Sequence, residues 1–124
     1  MCRSWLPIAA IDAVVGEAPM RAVAMDANYR MDAGALAQAV RADREAGLRP
    51  FLLVGTAGTT DTGAVDLLDA LADVAAAEAL WYHVDAAYGG AFLLLDSMRS
   101  RMFGIERADS VVIDPHKGLF LPYG

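Results

Sequence analysis

The sequence predicts an α/β chain built on a mostly parallel sheet, and three observations carry that expectation. Phe51-Leu52-Leu53-Val54, Leu80-Trp81-Tyr82-His83-Val84 and Ser110-Val111-Val112-Ile113 are short apolar runs whose starts lie about 30 residues apart, the size of a strand–helix–strand unit. These runs do not alternate with polar residues, which is the pattern of strands buried on both faces of a parallel sheet. The segments between them carry helical spacing.

The elements follow in order. Residues 9–15 read as a first helix and residues 21–25 as a strand. Asp32 is placed to cap a helix that runs to about Ala46, where Gly47 can end it. Pro50 leads into the first apolar run. After it, Leu68, Leu71, Ala72 and Ala75 fall at i, i+3, i+4 and i+7, one buried helix face, with Asp66 as its expected N-cap. A shorter helix is expected over residues 97–103. The alternation strand, helix, strand, helix, strand is that of an α/β chain. No repeat, low-complexity segment or linker interrupts it.

Composition narrows the function classes. The net charge is −6 over 124 residues, and the arginines are interleaved with acidic residues. That argues against a nucleic-acid partner, which favours clustered Lys and Arg. Cys2 is the one cysteine, so no intrachain disulfide can form, as suits a reducing compartment. No apolar run reaches the roughly 18 residues of a membrane span. The apolar stretch within residues 1–16 faintly resembles a signal peptide, but Asp12 interrupts it. The expectation is a cytoplasmic protein.

Ligands in open α/β sheets bind beyond the carboxyl ends of the strands. Each apolar run is followed there by a polar or small-residue cluster: Gly55-Thr56-Ala57-Gly58-Thr59-Thr60, then Asp85-Ala86-Ala87-Tyr88, then Asp114-Pro115-His116-Lys117. Parallel strands would bring all three to one edge. Taken singly, Asp85 reads as a cap or loop anchor, Lys117 as a solvated lysine and Thr59 and Thr60 as turn residues. His83 and His116 with Asp85 or Asp114 could ligate a metal, but no third ligand converges on them, and no metal is expected.

Taken jointly, the segments carry a resemblance. Thr-Ala-Gly-Thr-Thr at 56–60, Gly63-Ala64-Val65-Asp66, Trp81-Tyr82-His83-Val84-Asp85-Ala86-Ala87-Tyr88-Gly89-Gly90, Ala108-Asp109-Ser110 and Asp114-Pro115-His116-Lys117 resemble, in order and spacing, the pyridoxal phosphate-dependent group II amino acid decarboxylases. The resemblance runs from about Asp12 to Gly124 and is weak before Ile11. It implies part of the large domain of a fold-type I enzyme, with pyridoxal 5'-phosphate as cofactor, an amino acid substrate and a homodimeric full-length protein. It implies that Lys117 forms the Schiff base with the cofactor and that Asp85 pairs with the pyridine nitrogen, which makes the ring an electron acceptor. It also implies that Ala87 packs on the ring, that Thr60 lies near the ring and its hydroxyl, and that His116 and Asp114 lie near the phosphate.

Two departures qualify the resemblance. Gly118 stands where the family commonly has a bulky aromatic, and glycine there is expected to loosen the packing behind Lys117. The family's phosphate cup and stacking group are expected upstream, and its mobile loop and small C-terminal domain downstream. Residues 1–124 therefore read as a single partial domain. The alternatives are an inactive truncated remnant, or another lyase or aminotransferase-like enzyme of the same fold.

Overall fold

The computed structural model describes residues 20–122. The helix expected over residues 9–15 lies outside them. Its elements in chain order are α1 (Ala33–Glu45), β1 (Leu52–Thr56), α2 (Leu68–Ala77), β2 (Trp81–Asp85), a 3-10 segment (Gly89–Leu94), α3 (Asp96–Arg99), two further 3-10 turns (Ser100–Met102 and Ile105–Arg107), β3 (Ser110–Val112) and α4 (Pro115–Gly118). The strands form one parallel sheet in the order β1-β2-β3. Leu53 pairs with Tyr82, Gly55 with Val84 and Thr56 with Asp85. Val84 in turn pairs with Val111.

Local chemistry explains the helices. Asp32 caps α1 by accepting from the Ala35 N–H at 2.8 Å, and Gly47 ends it with φ +79°. The predicted face of α2 is the observed one, with Leu68, Leu71, Ala72 and Ala75 all buried. Both helices lie on one side of the sheet. There Leu36, Val40, Leu53, Ala57, Tyr82, Val84 and Met102 close the core with the α2 face. An ion pair of 2.9 Å between Arg44 and Glu78 ties the carboxyl end of α1 to that of α2.

Four expectations are corrected. Burial in the strands alternates: Leu53, Gly55, Tyr82 and Val84 are buried while their neighbours in β1 and β2 are not. Among the described residues only one face of the sheet is covered, because α1 and α2 share a side. Residues 21–25 do not form a strand, and what remains is a single antiparallel bridge from Met25 to Met31. Asp26 bends this segment back, accepting from the N–H groups of Asn28 and Arg30. The helix expected over residues 97–103 is α3 followed by a 3-10 turn.

Asp66 is not the cap of α2. That position belongs to Leu67, and no side chain caps the helix. The Asp66 carboxylate is instead buried, accepting from the Met31 N–H at 2.7 Å and the Thr56 N–H at 2.8 Å. Two half-buried N–H donors outcompete the exposed first turn of a helix for this carboxylate. Burial, the largest influence, pushes its carboxyl above the ordinary value, and the two N–H donors pull the other way.

Candidate functional site

The three clusters predicted to converge do so at the carboxyl ends of the strands. The chain carries the clusters onto one another through main-chain bonds that extend the sheet. Ala57 N–H donates to the Asp85 carbonyl at 2.8 Å, Ala86 N–H to the Val112 carbonyl at 3.0 Å, and Asp114 N–H to the Ala87 carbonyl at 3.2 Å. The small residues permit this closeness. A Cβ added to Gly89 would lie 2.0 Å from the Ala57 carbonyl oxygen and 2.8 Å from the Gly58 Cα. Only glycine lets the first two loops touch backbone to backbone.

Thr60 sits exposed in the turn after β1. That turn is closed at its base by the Ala57–Val65 bridge. Above it, the Gly58 and Thr59 N–H groups donate to the Ala64 carbonyl. Asp66 closes the same base twice, its N–H donating to the Thr56 carbonyl and its carboxylate accepting from the Thr56 N–H. Asp85, half-buried at the end of β2, accepts from the Ala87 N–H at 3.0 Å. Ala87 itself is buried.

The third cluster lies just past its strand, as its place after the apolar run implied. β3 stops at Val112, and Pro115, His116 and Lys117 form the one-turn helix α4. Proline at the first helical position favours this turn over a longer strand. Lys117 Nζ lies 2.5 Å from Asp114 Oδ2, with both side chains about one-third exposed. That hydrogen bond, more than the attendant charges of Lys117 and His116, holds the Asp114 carboxyl below its ordinary range. Gly118 does not loosen the packing behind the lysine. A Cβ there would lie 2.7 Å from both the Tyr88 carbonyl oxygen and the Ala91 Cβ, so glycine seats α4 against the 3-10 segment.

Two features escaped the sequence reading. Lys117 is the one lysine in the 124 residues, a count that the sequence offers directly. On the uncovered sheet face, Ser110 Oγ accepts from Trp81 Nε1 at 2.9 Å and lies 2.8 Å from His83 Nδ1. The period of two along β2 was the available signal, since it puts Trp81, His83 and Asp85 on one face.

The arrangement places a primary amine, a carboxylate and a floor of Ala and Gly on one edge of a parallel sheet. This donor set fits a flat aldehyde with a basic ring nitrogen: the amine suits the aldehyde, the carboxylate suits the protonated nitrogen, and the small residues leave room for the ring. Among the described residues no group of three His, Cys, Asp or Glu is placed to hold a metal ion. Fold and site thus define an α/β protein whose strand-end edge carries a lysine, an aspartate and small residues.

The family described as "Pyridoxal-dependent decarboxylase conserved domain" matches residues 2–124, and the chain belongs to it. The match reaches further toward the amino end than the motifs alone. The chain is 43% identical over 98 residues to an aromatic-L-amino-acid decarboxylase of Bacillus atrophaeus, covering 79% of this chain and 20% of that protein. It is 52% identical over 102 residues to an L-2,4-diaminobutyrate decarboxylase of Rhizobium meliloti, covering 82% and 20%. The crystal structure of Oryza sativa TDC with PLP superposes with a TM-score of 0.79 at 42% identity, covering 84% of this chain and 22% of that one. The chain therefore spans about a fifth of the length of these relatives. No helix among the described residues is long and apolar enough to cross a membrane.

Proposed function

We propose that these residues form the central part of the large domain of a pyridoxal phosphate-dependent amino acid decarboxylase. One observation carries the reading: the sheet brings Asp85 and Lys117 to the same edge, joined through the Ala87–Asp114 main-chain bond. When bound, pyridoxal phosphate supplies an electron-accepting ring that stabilises negative charge left on the amino acid after CO₂ departs.

The residues would divide the work as follows. Lys117 supplies the amine that anchors the cofactor. Asp85, held by the Ala87 N–H, keeps a proton on the ring nitrogen. Ala87 would contact the ring, and Thr60 would serve the side of the ring that carries its hydroxyl. His116 and Asp114 would serve the phosphate end of the cofactor. The relatives named above act on aromatic amino acids in one case and on diaminobutyrate in the other, so what they share is the α-amino acid group. We further propose that the assembled enzyme is a cytoplasmic homodimer.

The test is to incubate the purified chain with pyridoxal phosphate, reduce with borohydride and locate the label by peptide mass. The expected result is a visible absorption band and a label on Lys117, both lost in Lys117→Ala, with the band weakened in Asp85→Asn. An unlabelled chain with no band would favour an inactive remnant of such an enzyme.

A further inference from the structure

We propose that Asp114 is a positioning residue for Lys117: its carboxylate ties up the lysine nitrogen in an ion pair and so sets how readily that nitrogen attacks a carbonyl carbon. The identity of the carbonyl rests on the function proposed above, while the ion pair stands without it.

Three observations support the assignment. Asp114 occupies the N-cap position of α4, where an aspartate ordinarily accepts from the backbone of the first turn, yet its side chain makes no such bond. It turns instead to Lys117 Nζ at 2.5 Å. Both ends of the pair are fixed through the main chain. The Asp114 N–H donates to the Ala87 carbonyl at 3.2 Å, and the Lys117 N–H donates to the Asp114 carbonyl at 3.0 Å. Proline at residue 115 and the seat of Gly118 against Tyr88 and Ala91 hold the intervening turn. The backbone therefore holds the two residues one helical turn apart, within reach of a side-chain pair.

Condensation of an amine with an aldehyde begins with the electron pair of the neutral nitrogen. It replaces the carbon–oxygen double bond with a carbon–nitrogen double bond and releases the aldehyde oxygen, with the two protons of the amine, as water. A nitrogen paired with the Asp114 carboxylate must leave it before it can reach a carbonyl carbon. Asp114→Asn keeps the shape and one acceptor oxygen but removes the charge.

The chain's single lysine makes the experiment clean, because acetic anhydride can modify no side-chain amine but that of Lys117. Acetylation of Lys117, read by peptide mass, is compared in native and urea-unfolded chain. For a pair of this exposure the native chain should react about two- to fivefold more slowly than the unfolded one. Asp114→Asn should close that gap, and Asp114→Glu should keep at least part of it. The same variants mixed with pyridoxal phosphate should show faster appearance of the visible band in Asp114→Asn. The proposal is overturned if the parent shows no gap, or if Asp114→Asn leaves it unchanged. A gap that closes while no variant takes up pyridoxal phosphate upholds the ion-pair role and sinks the proposed function. Uptake at equal rates in parent and Asp114→Asn does the reverse.

Discussion

The half of the site that carries Asp85 and the half that carries Lys117 are held by different means. Asp85 ends a strand whose alternate residues, Tyr82 and Val84, are in the core, and the adjoining loop is stapled by the buried Asp66 carboxylate. Lys117 follows a three-residue edge strand and rides on one helical turn, with Ile113, Leu119, Phe120 and Leu121 all exposed. The first half inherits its geometry from the hydrophobic core. The second depends on a few backbone contacts and the tight seat of Gly118. Substitutions in the first half should therefore cost global stability, whereas those in the second should shift the lysine while the fold survives.

The largest effect is expected where the β1 and β2 loops touch. Gly89→Ala drives a methyl group to 2.0 Å from the Ala57 carbonyl oxygen, and rigid backbone on both sides cannot yield cheaply. The cost should exceed ~4 kcal/mol, enough to abolish a cooperative urea transition followed by circular dichroism. A cooperative transition near that of the parent would show that the junction is softer than its contacts imply.

Asp66 comes next. Asp66→Ala leaves the Met31 and Thr56 N–H groups without their acceptor, at about 3 kcal/mol in total. The pH dependence has a definite sign. Because burial raises the folded-state value above the ordinary 3.8, the folded form holds this proton more tightly than the unfolded form. The contribution of Asp66 is therefore greatest below the ordinary value and declines as pH rises through the raised one. The gap in stability between parent and Asp66→Ala should narrow over that interval in urea titrations. A gap that widens with rising pH would mean that the N–H donors outweigh burial.

These two positions also show what the sequence could and could not convey. Helix faces were legible because burial writes a period: Leu68, Leu71, Ala72 and Ala75 face the core as spaced. Strand positions were legible as short apolar runs, but the alternation of their burial was not. The strand-end edge was legible because parallel strands about 30 residues apart fix where their carboxyl ends fall. The role of Asp66 was not legible, since an aspartate just before a helix looks the same whether it caps that helix or turns inward to distant N–H groups. Gly118 was misleading for a related reason. A glycine marks either slack or close approach, and only the position of Ala91 and of the Tyr88 carbonyl tells which.

In the lysine-bearing half, Gly118→Ala places a methyl group 2.7 Å from both of those atoms. The expected cost is about 1–2 kcal/mol. Because α4 lies outside the core cluster, the turn should move off the 3-10 segment rather than unfold the chain. The informative measurement pairs the urea midpoint with Lys117 acetylation. The contrast between the halves predicts a small midpoint shift together with altered lysine reactivity. A large midpoint shift with unaltered reactivity would show that α4 is as firmly tied to the core as β2 is.

The smallest effect is expected where β2 and β3 meet on the uncovered face. Ser110→Ala removes the oxygen that accepts from Trp81 Nε1 and pairs with His83 Nδ1. All three side chains have access to water, so solvent can replace the lost partner, and the cost should stay near 0.5 kcal/mol. The backbone register should hold, because Asp109 fixes it independently: its N–H donates to the Tyr82 carbonyl at 2.8 Å and its carboxylate accepts from the Tyr82 N–H at 2.7 Å. The tryptophan fluorescence of the folded chain should change while the urea midpoint barely moves. If Ser110→Ala instead lowers the midpoint as far as Asp66→Ala does, β3 is held by its side chains rather than by Asp109, and the lysine-bearing half is anchored through the open face of the sheet.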